Sequence, residues 1–166
     1  TGFYSVDYSG WISVAYMLLL LTFVGGSAGS TSGGIKVIRV LLVFKYCYYE
    51  FKRMVHPHAV FPVRYNGRAV KEEYITRMLA FILLYVILSL FGAMILCMSG
   101  LGFEESISSM VSCLGNVGPG LGHLGPLDNY QSLPAFAKWF MSFAMLVGRL
   151  EFFTVLLIFT PNFWKR

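Results

Sequence analysis

Long uncharged runs, rather than strict alternation, organise this chain. Residues 78–98 form twenty-one consecutive uncharged positions, introduced by Glu72, Glu73 and Arg77 and closed by Ser99 and Gly100. About 20 apolar residues cross the roughly 30 Å of bilayer hydrocarbon as a helix, so this run predicts a transmembrane helix. Residues 139–160 form a second run of that length, starting after Lys138 and ending at Pro161, with Trp164, Lys165 and Arg166 as interfacial anchors. A third stretch is broken: residues 12–24 are apolar but too short to cross, and apolar character resumes only over 35–44. Between them lie Gly25, Gly26, Ser27, Ala28, Gly29, Ser30, Thr31, Ser32, Gly33 and Gly34, five glycines in ten residues. Such a segment disfavours continuous helix. The pattern predicts a helix interrupted at membrane depth, where non-helical backbone is tolerated only inside protein or along a water-filled cavity.

A shorter element sits between the two simple spans. Residues 104–114 predict about 11 residues of helix, roughly 16 Å at 1.5 Å per residue, which reaches only halfway across. Four glycines and Pro119 follow within residues 115–122. A half-helix ending in a glycine-rich turn between full spans has the pattern of a re-entrant pore loop. In the connection after the broken helix, Asn66-Gly67 between alternating residues signals a two-residue hairpin turn. Tyr46, Tyr48, Tyr49 and Phe51 before it read as an inner aromatic belt.

Composition sharpens this picture. Of the 166 residues 57% are hydrophobic and 13% charged, against about 25% charged in globular chains, which excludes an ordinary soluble domain. The net charge of +5 does not point to nucleic acid, because nine of the thirteen basic residues fall between Lys36 and Arg77 among aromatic and apolar positions. They mark that connection as cytoplasmic, since residues 99–139 hold Lys138 alone against Glu104, Glu105 and Asp128. Beginning at Thr1 without a basic segment or cleavage site, the chain does not open on a signal peptide and reads as a piece of something longer. Cys47, Cys97 and Cys113 lack metal or disulfide spacing and are expected to be buried, inert thiols.

Candidate chemistry is sparse. Residues 29–36 look at first like a phosphate-binding loop, but Ile35 separates Gly34 from Lys36, and Val37 stands where a hydroxyl is required. Residues 120–125 match G-x-G-x-x-G, yet Pro126 follows where a helix should begin. His56-Pro57-His58 has no nearby carboxylate and reads as a solvated loop, as does His123. No nucleophile, base and orienting group emerge together, so no enzyme is expected. Tight helix packing explains isolated glycine pairs. It does not explain residues 115–122, where Pro and Gly abandon helix altogether. Carbonyls exposed there need an ion, water or protein donors, and a selectivity filter, in which they replace a cation's hydration shell, meets that need. Arg149 is the sharpest single residue: an intramembrane Arg costs roughly 2.5–3.5 kcal/mol and should face a polar interior. Glu151, two residues away, points to another side of a helix, so the Gly/Ser/Thr loop is the expected acceptor.

These segments are familiar together. The run from Gly25 through Gly34 to Ile35-Lys36-Val37-Ile38-Arg39, then Asn116-Val117-Gly118-Pro119-Gly120-Leu121-Gly122, then Gly148-Arg149-Leu150-Glu151 and the ending Phe159-Thr160-Pro161-Asn162-Phe163-Trp164 resemble TrkH-type potassium uptake proteins of the Trk/Ktr/HKT superfamily. The likeness extends over nearly the whole chain and is nearer to the Trk than to the Ktr branch. It implies an all-α membrane protein built from four potassium-channel-like repeats of membrane helix, re-entrant pore helix, filter loop and membrane helix. On that plan residues 1–55 end the third repeat, 56–74 form the cytoplasmic connection, and 75–166 make the fourth repeat. The fourth would hold a membrane helix over 75–98, a pore helix over 104–114, a filter over 115–122 and a last helix over 138–160. Thr1, Gly2 and Phe3 would supply the third filter segment and Asn116, Val117, Gly118 and Pro119 the fourth. K⁺ would be held by backbone at Gly2, Asn116, Val117 and Gly118.

The resemblance further assigns residues 25–34 as an intramembrane gate loop under the filter and Arg149 as the basic residue approaching it. Ser32 stands where many relatives have Gly. No cofactor is implied beyond the transported K⁺. Partners would be the remaining repeats, a second copy in a homodimer, and a cytosolic nucleotide-binding regulatory ring, for which the basic residues between Lys45 and Arg77 are a docking surface. The location would be the bacterial inner membrane with the filter side outside. A secondary transporter with a solute site at the broken helix is the alternative. A membrane-embedded accessory subunit would leave both glycine-rich loops unexplained.

Overall fold

The computed structural model describes residues 11–27, 29–30, 32–56, 61–125, 127–150, 155 and 164. Its elements are α1 (Ile12–Val24), α2 (Val37–Val55), β1 (Arg64–Tyr65), β2 (Arg68–Ala69), α3 (Glu72–Met98), α4 (Phe103–Gly115) and α5 (Ala135–Arg149), with single 3₁₀ turns at Gly122–Leu124 and Tyr130–Ser132. Among the described residues, α3 is the helix long and apolar enough to cross a membrane. Its 27 residues rise about 40 Å, more than the hydrocarbon needs. It therefore starts before the apolar run, with Glu72 and Glu73 in its first turn, where carboxylates favour the positive end of the helix.

α3 divides into two faces. Phe81, Tyr85, Ser89, Gly92 and Leu96 recur every three or four residues on the buried side. Leu83, Ile87, Leu90, Met94 and Met98 form an exposed apolar stripe opposite, the surface that lipid or further protein must cover. Trp139, Phe143 and Leu146 make a similar exposed stripe on α5. Between these helices runs α4, buried from Ser108 to Gly115. Gly92 of α3 is why α4 lies so close, because a β-carbon there would overlap the Met110 side chain. The Phe23 ring of α1 meets Tyr85 edge-on at 5.2 Å, which joins the first helix to the same core.

α1 ends where its glycines begin, and α2 continues past Phe44 as far as Val55. The aromatic and basic residues 45–53 thus belong to an amphipathic helix continuous with residues 37–44. Arg53 ties the end of α2 to the connection and to the start of α3: its guanidinium reaches Glu50 at 2.7 Å, the Phe61 carbonyl at 3.1 Å and Glu72 at 3.5 Å. Asn66 and Gly67 both have positive φ, 50° and 79°, the geometry of a type I′ turn, and pair Arg64 with Ala69 and Tyr65 with Arg68. Val63 at the foot of this hairpin is buried with Leu42 and Ile75 in a small second core.

Two expectations need correction. Of the three thiols expected to be buried only Cys113 is, Cys97 being half-buried and Cys47 exposed; Cys47 lies on the face of α2 that presents Phe44, Tyr48 and Phe51 outward. The last helix does not begin at Lys138 and run unbroken: α5 starts at Ala135, directly after Pro134. Proline cannot donate to the preceding turn, which makes it a natural helix opening. The first helical stretch closes at Arg149, with Leu150 as its cap; Val155 and Trp164 are again helical.

Candidate functional site: the loop after α4

The helix α4 stops abruptly. Asn116 adopts the left-handed conformation, φ 55° and ψ 40°, which Asn tolerates better than most residues, and the chain leaves the helix there. Gly118 has φ 123°, a region closed to side-chain-bearing residues. Residues 116–121 then turn back along α4 instead of continuing through the core.

Side chains hold this loop from several directions. The amide of Asn116 donates to the Met145 carbonyl of α5 at 3.1 Å. Ser112 accepts the Gly118 N–H at 3.0 Å, and Ser108, one turn earlier, accepts the Leu121 N–H at 2.9 Å. The Tyr130 hydroxyl donates to the Gly118 carbonyl at 2.8 Å. Glu105 closes the far end, taking the Gly102 N–H at 3.2 Å and the His123 N–H at 3.1 Å. Its carboxylate thus joins the start of α4 to the turn beyond the loop.

The remaining carbonyls differ. Among the described residues, no donor reaches the carbonyls of Asn116, Val117 or Pro119. All three residues are partly buried. A polar group buried without a partner costs about 1–3 kcal/mol, and backbone carbonyls in folded proteins rarely stay in that state. A row of such oxygens on fixed backbone is a ready set of ligands for a hard cation. Beside the loop lies a crevice of about 150 Å³, walled by Ala15, Leu18, Leu19 and Thr22 of α1 and by Val117, Pro119 and Leu121. Its walls are mostly apolar side chains, and it separates α1 from the loop.

The segment between α1 and α2 lies directly against the end of α4. A β-carbon at Gly33 would stand 2.7 Å from the Leu114 carbonyl oxygen and 2.9 Å from the Gly115 carbonyl. Gly115 in turn faces the Thr22 carbonyl, which a β-carbon would meet at 3.3 Å. The base of the segment is pinched: a β-carbon at Gly25 would come within 2.9 Å of the Gly33 carbonyl, and Val37 donates its N–H to the Gly26 carbonyl at 3.0 Å. Ser32 is built into the turn, its N–H bonded to the Ser30 hydroxyl at 3.1 Å and its own hydroxyl to the Gly33 carbonyl at 3.3 Å. The break in the helix is therefore a closed loop held at its neck.

Arg149 sits in the last turn of α5, exposed, and has no hydrogen-bond or ion-pair partner among the described residues. Its neighbour Gly148 packs on Leu114 at the end of α4. Thr1, Gly2 and Phe3, Ala28 and Thr31 of the loop, His58 and Glu151 lie outside the described residues. The described part of the chain contains no cluster of three His, Cys, Asp or Glu side chains able to hold a metal ion.

Ser108, Ser112, Tyr130 and Glu105 hold the loop at positions that sequence reasoning does not single out. Four serines in seven residues, 106–112, on an otherwise apolar half-helix are the available signal, because buried serines require partners. Nothing local marks Tyr130, twelve residues beyond the carbonyl it serves.

The chain as a whole is similar to known proteins. The TrkH family, described as a cation transport protein, matches residues 1–166. The Trk system potassium uptake protein TrkH of Escherichia coli (strain K12) is 39% identical over 165 residues, covering 99% of this chain and 34% of that protein. TrkI of Halomonas elongata is 39% identical over 168 residues, covering all of this chain and 34% of that protein. The crystal structure of the potassium transporter TrkH from Vibrio parahaemolyticus aligns with a TM-score of 0.84 at 35% identity, covering 99% of this chain and 34% of that one. The chain spans about a third of the length of the curated relatives it matches.

Proposed function

The chain belongs to the TrkH family of cation transport proteins, and from that membership we propose that the intact protein carries out potassium uptake across the inner membrane through a channel-like pore. The family is one of transporters, not enzymes. The observation that carries the reading is the set of carbonyls without a donor among the described residues at the partly buried Asn116, Val117 and Pro119, on backbone fixed by Ser112, Tyr130 and the Asn116 amide. Carbonyl oxygens in that position replace the water shell of an entering cation, and fixing them in advance avoids the cost of ordering them around each ion. Residues 115–122 are then the fourth filter segment, with Thr1, Gly2 and Phe3 in the third.

In this reading the loop at residues 25–34 is the gate. Its neck rests on the last turn of α4, so that its free part obstructs the path below the filter, and Arg149 in the last turn of α5 supplies a positive barrier and donors. A homodimer, with a cytosolic nucleotide-binding ring docked on the basic connection, completes the assembly. Arg64, Arg68 and Lys71 are exposed for that contact, whereas Arg53 is engaged by Glu50 and Glu72. Rubidium uptake by the intact protein in liposomes, against Na⁺ and Li⁺ as competitors, tests the proposal: selective uptake supports it and its absence rejects it.

The closed loop between α1 and α2 is the one feature that favours a secondary transporter, since broken helices form midplane solute sites. Uptake that depends on a second, coupled ion and saturates with a small solute would favour that mechanism.

A further inference from the structure

Resting on the filter reading above, we infer that Ser112 and Tyr130 form a clamp on the Gly118 peptide that sets cation selectivity in this segment. They are positioning residues: neither has to touch the ion. The two polar groups of Gly118 are taken from outside the loop, its N–H by the Ser112 hydroxyl at 3.0 Å and its carbonyl by the Tyr130 hydroxyl at 2.8 Å. The two come from different elements, a buried turn of α4 and the 3₁₀ turn before α5. Gly118 is the point at which such a hold matters. Its φ of 123° belongs to a region in which glycine passes readily between conformers, so the peptide has no intrinsic preference to keep its carbonyl in place.

The donor on the Gly118 carbonyl also separates it from its neighbours. Asn116, Val117 and Pro119 present oxygens that no donor among the described residues reaches, while one lone pair of the Gly118 oxygen is occupied by Tyr130. Gly118 is thereby the fixed point about which the flanking carbonyls are spaced. Ser112 is 1% exposed, so its hydrogen bond does not exchange with bulk water. Discrimination among cations of different radius depends on how firmly the spacing of carbonyls is kept. Loosening the clamp should cost selectivity before it costs flux.

The test uses the intact protein in liposomes, reading rubidium uptake and its inhibition by sodium for wild type, Tyr130→Phe, Ser112→Ala and the double variant. Each single variant should lower the rubidium-to-sodium preference by about fivefold, the factor one neutral hydrogen bond of about 1 kcal/mol provides, with total cation uptake maintained or raised. The double variant should fall short of the product of the two, because both act on one peptide. Ser112→Thr, which keeps the acceptor, should restore the preference. Ser106→Ala, which removes a buried hydroxyl that has no partner among the described residues, should leave it unchanged.

If Tyr130→Phe and Ser112→Ala insert normally and retain wild-type preference, the clamp is wrong and the filter stands. Should Ser112→Ala fail to insert, Tyr130→Phe decides alone, since it takes one hydroxyl from a half-buried ring. A wild-type protein that takes up rubidium and sodium alike overturns both the clamp and the filter reading.

Discussion

Leu114 and Gly148 meet backbone to backbone: a β-carbon on Gly148 would overlap the Leu114 carbonyl oxygen. Gly33 approaches the same oxygen from the broken helix, with its β-position 2.7 Å away. One carbonyl at the end of α4 is thus enclosed by glycines from two other elements, and the segment between α1 and α2, the helix α5 and the end of α4 share a single joint.

Substitution at that joint should be costly. Gly148→Ala is expected to destabilise the intact protein by about 1–3 kcal/mol, the range for inserting a methyl into well-packed surroundings, and Gly33→Ala by a similar amount. Gly29→Ala, whose β-carbon meets nothing within 4 Å, should leave stability near wild type. Thermal unfolding in detergent checks all three. Equal melting temperatures across the series would show that the joint yields freely.

Orientation is tested by labelling. In a variant lacking Cys47, Cys97 and Cys113, a membrane-impermeant thiol reagent added outside should modify cysteine placed at Asp128 but not at Asn66. Both positions are exposed, so accessibility across the membrane is what the reagent reports. The reverse pattern would invert the topology read from Lys and Arg.

How much of the fold is legible in the chain depends on whether the signal is local. The bounds of α1 coincide with the apolar run 12–24, because glycines end it sharply. Asn66-Gly67 specifies the hairpin through two positive φ values, and α4 differs from the expected half-helix by a single residue at each end. The extension of α2 to Val55 is not legible in the same way, because an amphipathic surface segment of Tyr, Lys and Phe reads equally well as an aromatic belt. The hold on Gly118 is out of reach for another reason: Tyr130 and Ser112 are brought to it by tertiary packing, and neither carries a motif. The approach of Gly33 and Gly148 to Leu114 is equally a product of packing, legible only as unexplained glycines.

The gate assignment predicts a non-additive pair. Deleting residues 29–32, which spares the Gly25 and Gly33 contacts at the neck, should raise basal cation uptake by removing the obstruction. Arg149→Ala should raise it as well, by removing a fixed positive charge from the path. Acting on one closed state, the two together should raise uptake by less than the product of their separate effects. Liposome flux assays on inserted protein measure each. Wild-type or lower flux in both would move the loop from gate to packing element.

The most direct measurement of the central claim is rubidium uptake into liposomes by Gly118→Val beside wild type, in the presence of excess sodium. Gly118 has φ 123°, which a β-branched residue adopts only with strain, so valine there must displace the carbonyls on either side. The account predicts selective rubidium uptake by wild type and none by correctly inserted Gly118→Val. Undiminished rubidium-over-sodium preference in Gly118→Val would contradict a selectivity filter at residues 115–122.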